Sequence, residues 1–320
     1  MEKMVELESL SKHFGPVVAV DKITLNVAKG EVLGFLGPNG AGKTTTMRMI
    51  SGYLSPTFGS ISICGYNVEH SPIQSKKMIG YLAEGSPSYE DMTVLEFLNF
   101  VASIRGINGD VLGKRLEKVI SQTSLGEVVN RKIEVLSKGF KRRVGLAQSI
   151  IHDPPVLILD EPTDGLDPNQ KHEVRKLIRN MSSDKAIIIS THILEEVEAV
   201  CSRAVIIGNG KLLADGTSEK LLSLLPDYNA IDILVEEEQK STFKNFLESL
   251  DLIDGVKEKK VKTNLISLTC TSESNPLSAP SIIAEMSKSN LFPLEIYKSK
   301  GDLDTVFRQI TLGNEDSING

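Results

Sequence analysis

Two short runs in this chain are apolar without a break, Val156-Leu-Ile-Leu159 and Ala186-Ile-Ile-Ile189. Between them Val174, Leu177, Ile178 and Met181 recur at three- and four-residue intervals behind Pro168, which predicts a helix with one buried face. Strands apolar at every position are buried on both sides, and their alternation with helices predicts a parallel sheet in an α/β fold. Val32-Leu-Gly-Phe-Leu36 reads the same way and runs into a helical stretch, Lys43–Ile50, for which Gly52 supplies a stop. Nearer the start, Val5–Leu10 and Ile23–Val27 alternate apolar with polar as half-buried strands do, and Ile61–Cys64 adds another strand. Thr93-x-x-Glu96 is a capping box, opening a helix on Val94, Phe97, Val101 and Ile104 that Gly106 closes. Two more helices are expected over 111–123 and 137–151, the latter stopped by Pro154-Pro155. Ala204–Ile207 and Lys211–Ala214 form a hairpin pattern around Asn209-Gly210.

Beyond Pro226 the texture changes. Strand patterns at 231–235, 256–260, 265–270 and 294–297 interleave with helical patterns at 240–250 and 280–288, and 303–310 is a last helix. The βαββαβ order predicts a small ferredoxin-like α+β appendage. The expected division is therefore 1–225 for the first domain, with a helical subdomain at about 85–152, and 226–312 for the second. Residues 313–320 are expected to be a flexible tail.

Composition adjusts this picture in three places. Apolar residues at 40% and charged residues at 24% are those of a soluble globular protein. A net charge of −6 argues against binding nucleic acid through a broad basic surface. Cys64, Cys201 and Cys270 form no paired framework, which fits a reduced, cytoplasmic setting. No apolar run approaches the ~20 residues of a membrane helix, so a role at a membrane is expected to come through a partner.

The chemistry is concentrated where the apolar strands end. Gly37, Pro38, Asn39, Gly40, Ala41, Gly42, Lys43 and Thr44 fit the phosphate-binding pattern G-x-x-x-x-G-K-[ST], followed by Thr45. Glycines let a backbone close around phosphates, the following helix offers its N-terminus to the anion, Lys43 reaches the β/γ-phosphates and Thr44 ligates Mg²⁺. Asp160 and Glu161 end the strand begun at Val156, the edge at which open α/β sheets bind ligands. Asp160 is placed to hold Mg²⁺ through water, and Glu161 to polarise an attacking water. Ser190-Thr191-His192 ends the next strand, where His192 can donate to a γ-phosphate oxygen. Taken alone, His192 also reads as a surface or helix-cap residue. The basic cluster Lys138, Lys141, Arg142 and Arg143 reads as a solvated helix face.

The order of phosphate loop, Leu136-Ser137-Lys138-Gly139-Phe140, Leu159-Asp160-Glu161-Pro162-Thr163, Gly165-Leu166-Asp167 and Ser190-Thr191-His192 resembles the nucleotide-binding subunit of an ABC transporter, over about Met4 to Leu222. That resemblance implies a RecA-like P-loop core that binds ATP and Mg²⁺ and hydrolyses ATP. It also implies a head-to-tail homodimer in which Ser137, Lys138 and Gly139 meet the γ-phosphate held by the other subunit. A separately encoded permease is implied too, docked by the helical subdomain on the cytoplasmic membrane face. Phe14 stands where such ATPases stack an aromatic on adenine, or is a core phenylalanine. Asp167 matches the loop crossing the dimer interface and equally a helix start. Glu84 stands where most relatives carry a glutamine that senses Mg²⁺ and couples to the permease. Lys138, Phe140 and Asp164 are further departures, and Glu84 with Leu-Ser-Lys-Gly is similar to bacterial exporter ATPases for gliding motility, sodium, drugs and copper-site maturation. The rival readings are an ABC ATPase acting on ribosomes or DNA, and a regulatory ATP binder that does not hydrolyse.

Overall fold

The computed structural model describes residues 2–85, 88–225, 227–262, 264–272, 277–299 and 301–312. The expected tail 313–320 lies outside them, as do Ser86, Pro87 and Pro226. The chain divides into two compact units, Met1–Ser218 and Glu219–Gly320. The break falls at Ser218 rather than at Leu225, because Leu222 and Leu225 lie against Gly301 of the second unit.

The first unit opens with β1 (Lys3–Phe14), β2 (Val17–Ala28), β3 (Val32–Leu36), α1 (Lys43–Ile50), β4 (Phe58–Ile63) and β5 (Tyr66–Asn67). It continues with α2 (Pro72–Lys77), β6 (Ile79–Leu82), α3 (Val94–Ile104), α4 (Asp110–Gln122) and α5 (Lys138–Ile150). It closes with β7 (Val156–Asp160), α6 (Pro168–Ser182), β8 (Ala186–Thr191), α7 (Leu194–Val200), β9 (Arg203–Gly208) and β10 (Lys211–Gly216). A six-stranded sheet runs β10-β9-β3-β8-β7-β6, parallel except for β10, and a four-stranded antiparallel sheet runs β2-β1-β4-β5.

The continuous apolar runs are explained by two cores on opposite faces of the parallel sheet. Leu157, Leu159, Ile187 and Ile189 face a core built with α3, α4, α5 and α6. Val156, Ile158, Ala186 and Ile188 face the core shared with α1 and the antiparallel sheet. Each such side chain removed from water contributes about 1.5–3 kcal/mol, so the pairing register of β7 and β8 is held from both sides. The Thr93 capping box forms in full, with the Glu96 carboxylate accepting from Thr93 N at 2.8 Å and Thr93 Oγ1 accepting from Glu96 N at 3.2 Å.

The second unit comprises α8 (Ser218–Leu222), which begins at the division, then β11 (Ile231–Glu236), α9 (Lys240–Glu248), β12 (Gly255–Lys262), β13 (Leu265–Thr271), α10 (Ala279–Lys288), β14 (Glu295–Lys298) and α11 (Leu303–Leu312). Its sheet runs β12-β13-β11-β14, antiparallel throughout, which is the ferredoxin-like arrangement of a βαββαβ chain. Phe243 and Leu247 of α9 and Ile282 and Met286 of α10 close its core over Ile231, Ile233, Val235, Leu268 and Cys270.

Candidate functional site

At the C-terminal end of β3 the chain turns through Gly37–Gly42 into α1, with Gly42 as the N-cap residue. Gly42 has φ +103°, and a Cβ there would stand 2.5 Å from the Ala19 carbonyl oxygen, so only glycine fits the turn. The loop and the first turn of α1 wall a cavity of about 270 Å³ lined by Ala19, Asn39, Gly40, Gly42, Lys43, Thr44, Thr45, Glu84 and Glu161. Unpaired N–H groups at a helix start, beside a lysine, make an anion site. Lys43 Nζ donates to the carbonyls of Gly37 at 2.6 Å and Pro38 at 3.1 Å. Burial lowers its pKa from the usual amine range, while the charges of Glu161, Asp160 and Glu84 oppose the shift.

Asp160 ends β7 and is 1% exposed. Among the described residues, neither carboxylate oxygen has a donor in hydrogen-bond geometry, and the Ser190 hydroxyl beside it is likewise without a partner. Burial raises the Asp160 carboxyl above its ordinary value; the nearby Ser190 hydroxyl opposes this, and the charges of Glu84 and Glu161 add to it. A buried carboxylate lacking donors, close to Glu84 and to a cavity that the Thr44 hydroxyl lines, is a hard-oxygen set that suits a divalent cation such as Mg²⁺.

Glu161 follows at once with φ +52°, a left-handed conformation that a residue with a Cβ adopts under constraint. Its N–H donates to Ser190 O at 2.9 Å, so the last rung between β7 and β8 fixes its base. Its Oε1 lies 2.8 Å from His192 Nδ1, the half-exposed imidazole that follows β8. The sheet thus brings Lys43, Glu84, Asp160, Glu161 and His192 to one edge from four separate segments.

Other expected residues lie elsewhere. Phe14 is 50% exposed at the end of β1, with the Lys12 ammonium 5.3 Å over its ring, which overturns the core reading of this side chain. Ser137 caps α5 by accepting from Phe140 N at 3.3 Å, and Asp167 caps α6 by accepting from Gln170 N at 2.9 Å. Both are exposed and neither lines the cavity of their own chain. Lys138 forms an ion pair with Asp164 at 2.8 Å, and Gly139 packs so closely on Gln170 that a Cβ would sit 2.6 Å from its Oε1.

One expectation is corrected. Arg142 is not part of a solvated face: it is 6% exposed, and its guanidinium donates to the carbonyls of Ala83 at 2.8 Å, Asp160, and Glu161 at 2.5 Å. The signal was present, because Arg142 shares its helix face with Gly145, Leu146 and Ser149, all buried. Glu196 was also missed: it is 4% exposed on α7 and receives the hydroxyls of Thr163 and Thr191. A carboxylate beside Glu195 on a seven-residue helix carries no sequence mark of burial.

The profile of the family described as "ABC transporter" matches residues 20–164. The Nod factor export ATP-binding protein I of Cupriavidus pinatubonensis is 32% identical over 73% of this chain and 72% of its own length. The linearmycin resistance ATP-binding protein LnrL of Bacillus subtilis is 29% identical over 96% of this chain and 98% of its own. Among solved structures, an ATP-binding subunit of an ABC transporter superposes with a TM-score of 0.65 at 31% identity, over 69% of this chain and 92% of that one. With the phosphate loop, the Asp160–Glu161 strand end and His192 gathered on one sheet edge, this chain belongs to the ABC transporter ATP-binding proteins.

Proposed function

We propose that this chain hydrolyses ATP and uses the energy to drive a separately encoded permease, as the motor subunit of an exporter. The observation that carries the reading is the Glu161–His192 contact of 2.8 Å at the mouth of the Lys43 cavity. Phosphoryl transfer needs charge neutralisation and an oriented water more than covalent chemistry. Lys43 and the amides of Gly40–Thr44 would bind the β- and γ-phosphates. Thr44, Glu84 and Asp160 would hold Mg²⁺, which when bound would neutralise the negative charge of the phosphates. Glu161 polarises the water that attacks the γ-phosphorus, and His192 fixes the Glu161 carboxylate and faces the departing phosphate.

Ser137 and Gly139 present a capped helix N-terminus away from the chain's own cavity, which suits a head-to-tail dimer with each ATP between the phosphate loop of one subunit and Ser137–Gly139 of the other. Asp167 would lie at that interface, and exposed Phe14 offers a face for adenine. Tyr89, packed edge-on against Phe100 at 5.3 Å, and Ile104 form an exposed apolar surface on the helical region, suited to a membrane partner at the cytoplasmic face. Export accords with the Nod factor export relative, and LnrL aligns along the second unit as well as the first. Purified E161Q should bind ATP as the parent does and lose turnover by at least ~10²-fold, with the dimer trapped in the presence of ATP and Mg²⁺. Parent-like phosphate release by E161Q refutes the assignment.

A further inference from the structure

Past Asp160 and Ser190 the ladder between β7 and β8 ends, and the two segments carrying Glu161 and His192 leave the sheet. Beyond that point Glu196 joins them, in addition to the Glu161–His192 contact. One carboxylate oxygen receives the Thr163 hydroxyl, and the other receives the Thr191 hydroxyl at 3.0 Å. Thr163 lies two residues after Glu161, and Thr191 immediately precedes His192. Thr191 Oγ1 also accepts from Ile193 N at 3.1 Å, so the peptides on both sides of His192 are anchored to the same carboxylate. Glu161 is meanwhile held in its left-handed conformation, with its carbonyl accepting from Asp164 N at 3.1 Å.

Burying a carboxylate is costly unless its oxygens are satisfied, and both oxygens of Glu196 are occupied by side chains of the two catalytic segments. A leucine at the same place would leave the buried Thr163 and Thr191 hydroxyls without an acceptor, so the acid and the two threonines act as one unit. We propose that Glu196 is a positioning residue, a clip that sets the Glu161–His192 geometry through Thr163 and Thr191. It does not line the Lys43 cavity. The inference rests on Glu161 and His192 acting as assigned above.

The test is steady-state ATP hydrolysis by the full chain, with the Kd of a fluorescent ATP analogue measured separately. E196A should lower kcat by ~10²-fold, the size of effect expected when reacting groups shift by about 1 Å. The Kd should remain within about threefold, because the phosphate loop is untouched. E196Q keeps the shape, accepts one hydroxyl and donates to the other, and should hold kcat within ~5-fold of the parent. The isosteric variants T163V and T191V should each show part of the loss, and T191V/E196A should be no slower than E196A. Parent-like kcat in E196A overturns the proposal, as does a Kd that rises in step with the loss of kcat. Losses that simply add in T191V/E196A overturn it too. If E196A does not fold, unchanged kcat in both T163V and T191V overturns it. E161Q is assayed alongside: turnover by E161Q refutes the assigned base, whereas a dead E161Q with a fully active E196A refutes the clip alone.

Discussion

Arg142 shows what burial asks of a single cation. Its guanidinium donates to three carbonyls, of Ala83, Asp160 and Glu161, which join α5 to the turn after β6 and to the end of β7. Burial lowers its pKa, and the charges of Asp160, Asp164 and Glu161 oppose that, so it stays charged in its fork. R142M keeps the volume and strands those carbonyls, and should cost ~2–4 kcal/mol in urea unfolding. R142K should recover little, since an ammonium lacks the planar fork that reaches carbonyls on separate segments. Arg143 next to it rests against the Phe140 ring at 5.7 Å, and R143A should cost only ~0.5 kcal/mol. The contrast between adjacent arginines is the measurement that separates a buried tie from a solvated face.

At the scale of elements, the junction of α5 with β6 carries an acid-sensitive group. His152, just after α5, has Nε2 3.0 Å from the carbonyl of Ile79 in β6, and its Nδ1 is buried with no partner. Burial pushes its pKa down to about 4, with the positive charge of Arg105 adding to the shift. The unfolded chain takes up this proton near the ordinary value of 6.5, so stability falls as pH drops below that point, and the whole penalty is present below about 4. The loss should be on the order of 3 kcal/mol, and H152N, which keeps a donor for the Ile79 carbonyl without a proton to gain, should flatten stability between pH 6.5 and 4. Denaturant titrations at several pH values check it, and an unchanged slope in H152N refutes it. Elements also explain what sequence patterns passed over: α2 buries only Ser75, and α7 spans seven residues, so neither shows an apolar face long enough to register as a period.

At the scale of the molecule, each unit encloses its own core, and the first places its chemistry along one edge of the parallel sheet. The residues that would face a second copy, Ser137, Gly139 and Asp167, cluster on the same side as Asp164 through the Lys138–Asp164 pair and the Gly139–Gln170 contact. S137R gives up a cap, at a cost of ~1 kcal/mol, and should leave ATP binding to the monomer unchanged. Placed in the E161Q background, it should abolish the ATP-dependent dimer in sedimentation, and alone it should cut hydrolysis by at least ~10-fold. A trapped dimer of parent-like stability in that double variant would count against the head-to-tail sandwich.

By itself the sequence determined the elements whose signals are local. Uninterrupted apolar runs marked β7 and β8 because a strand with a core on each face has no polar side, and a glycine loop ending in Lys43-Thr44 marked the anion site because only that backbone closes around phosphate. The βαββαβ order likewise announced the second unit's topology, since the antiparallel sheet order follows from it. Only the tertiary structure decided which charged residues are buried. Glu196 looks like a surface charge along the chain, and Arg142, though it shares its helix face with Leu146, carries no mark of its partners. They acquire their roles from carbonyls and hydroxyls that are distant in sequence and adjacent in space. The same holds for the 2.8 Å approach of His192 to Glu161, which depends on two strand ends meeting side by side. Periodicity reports what a residue's own element does with its apolar face, and a polar side chain's partner belongs to another element.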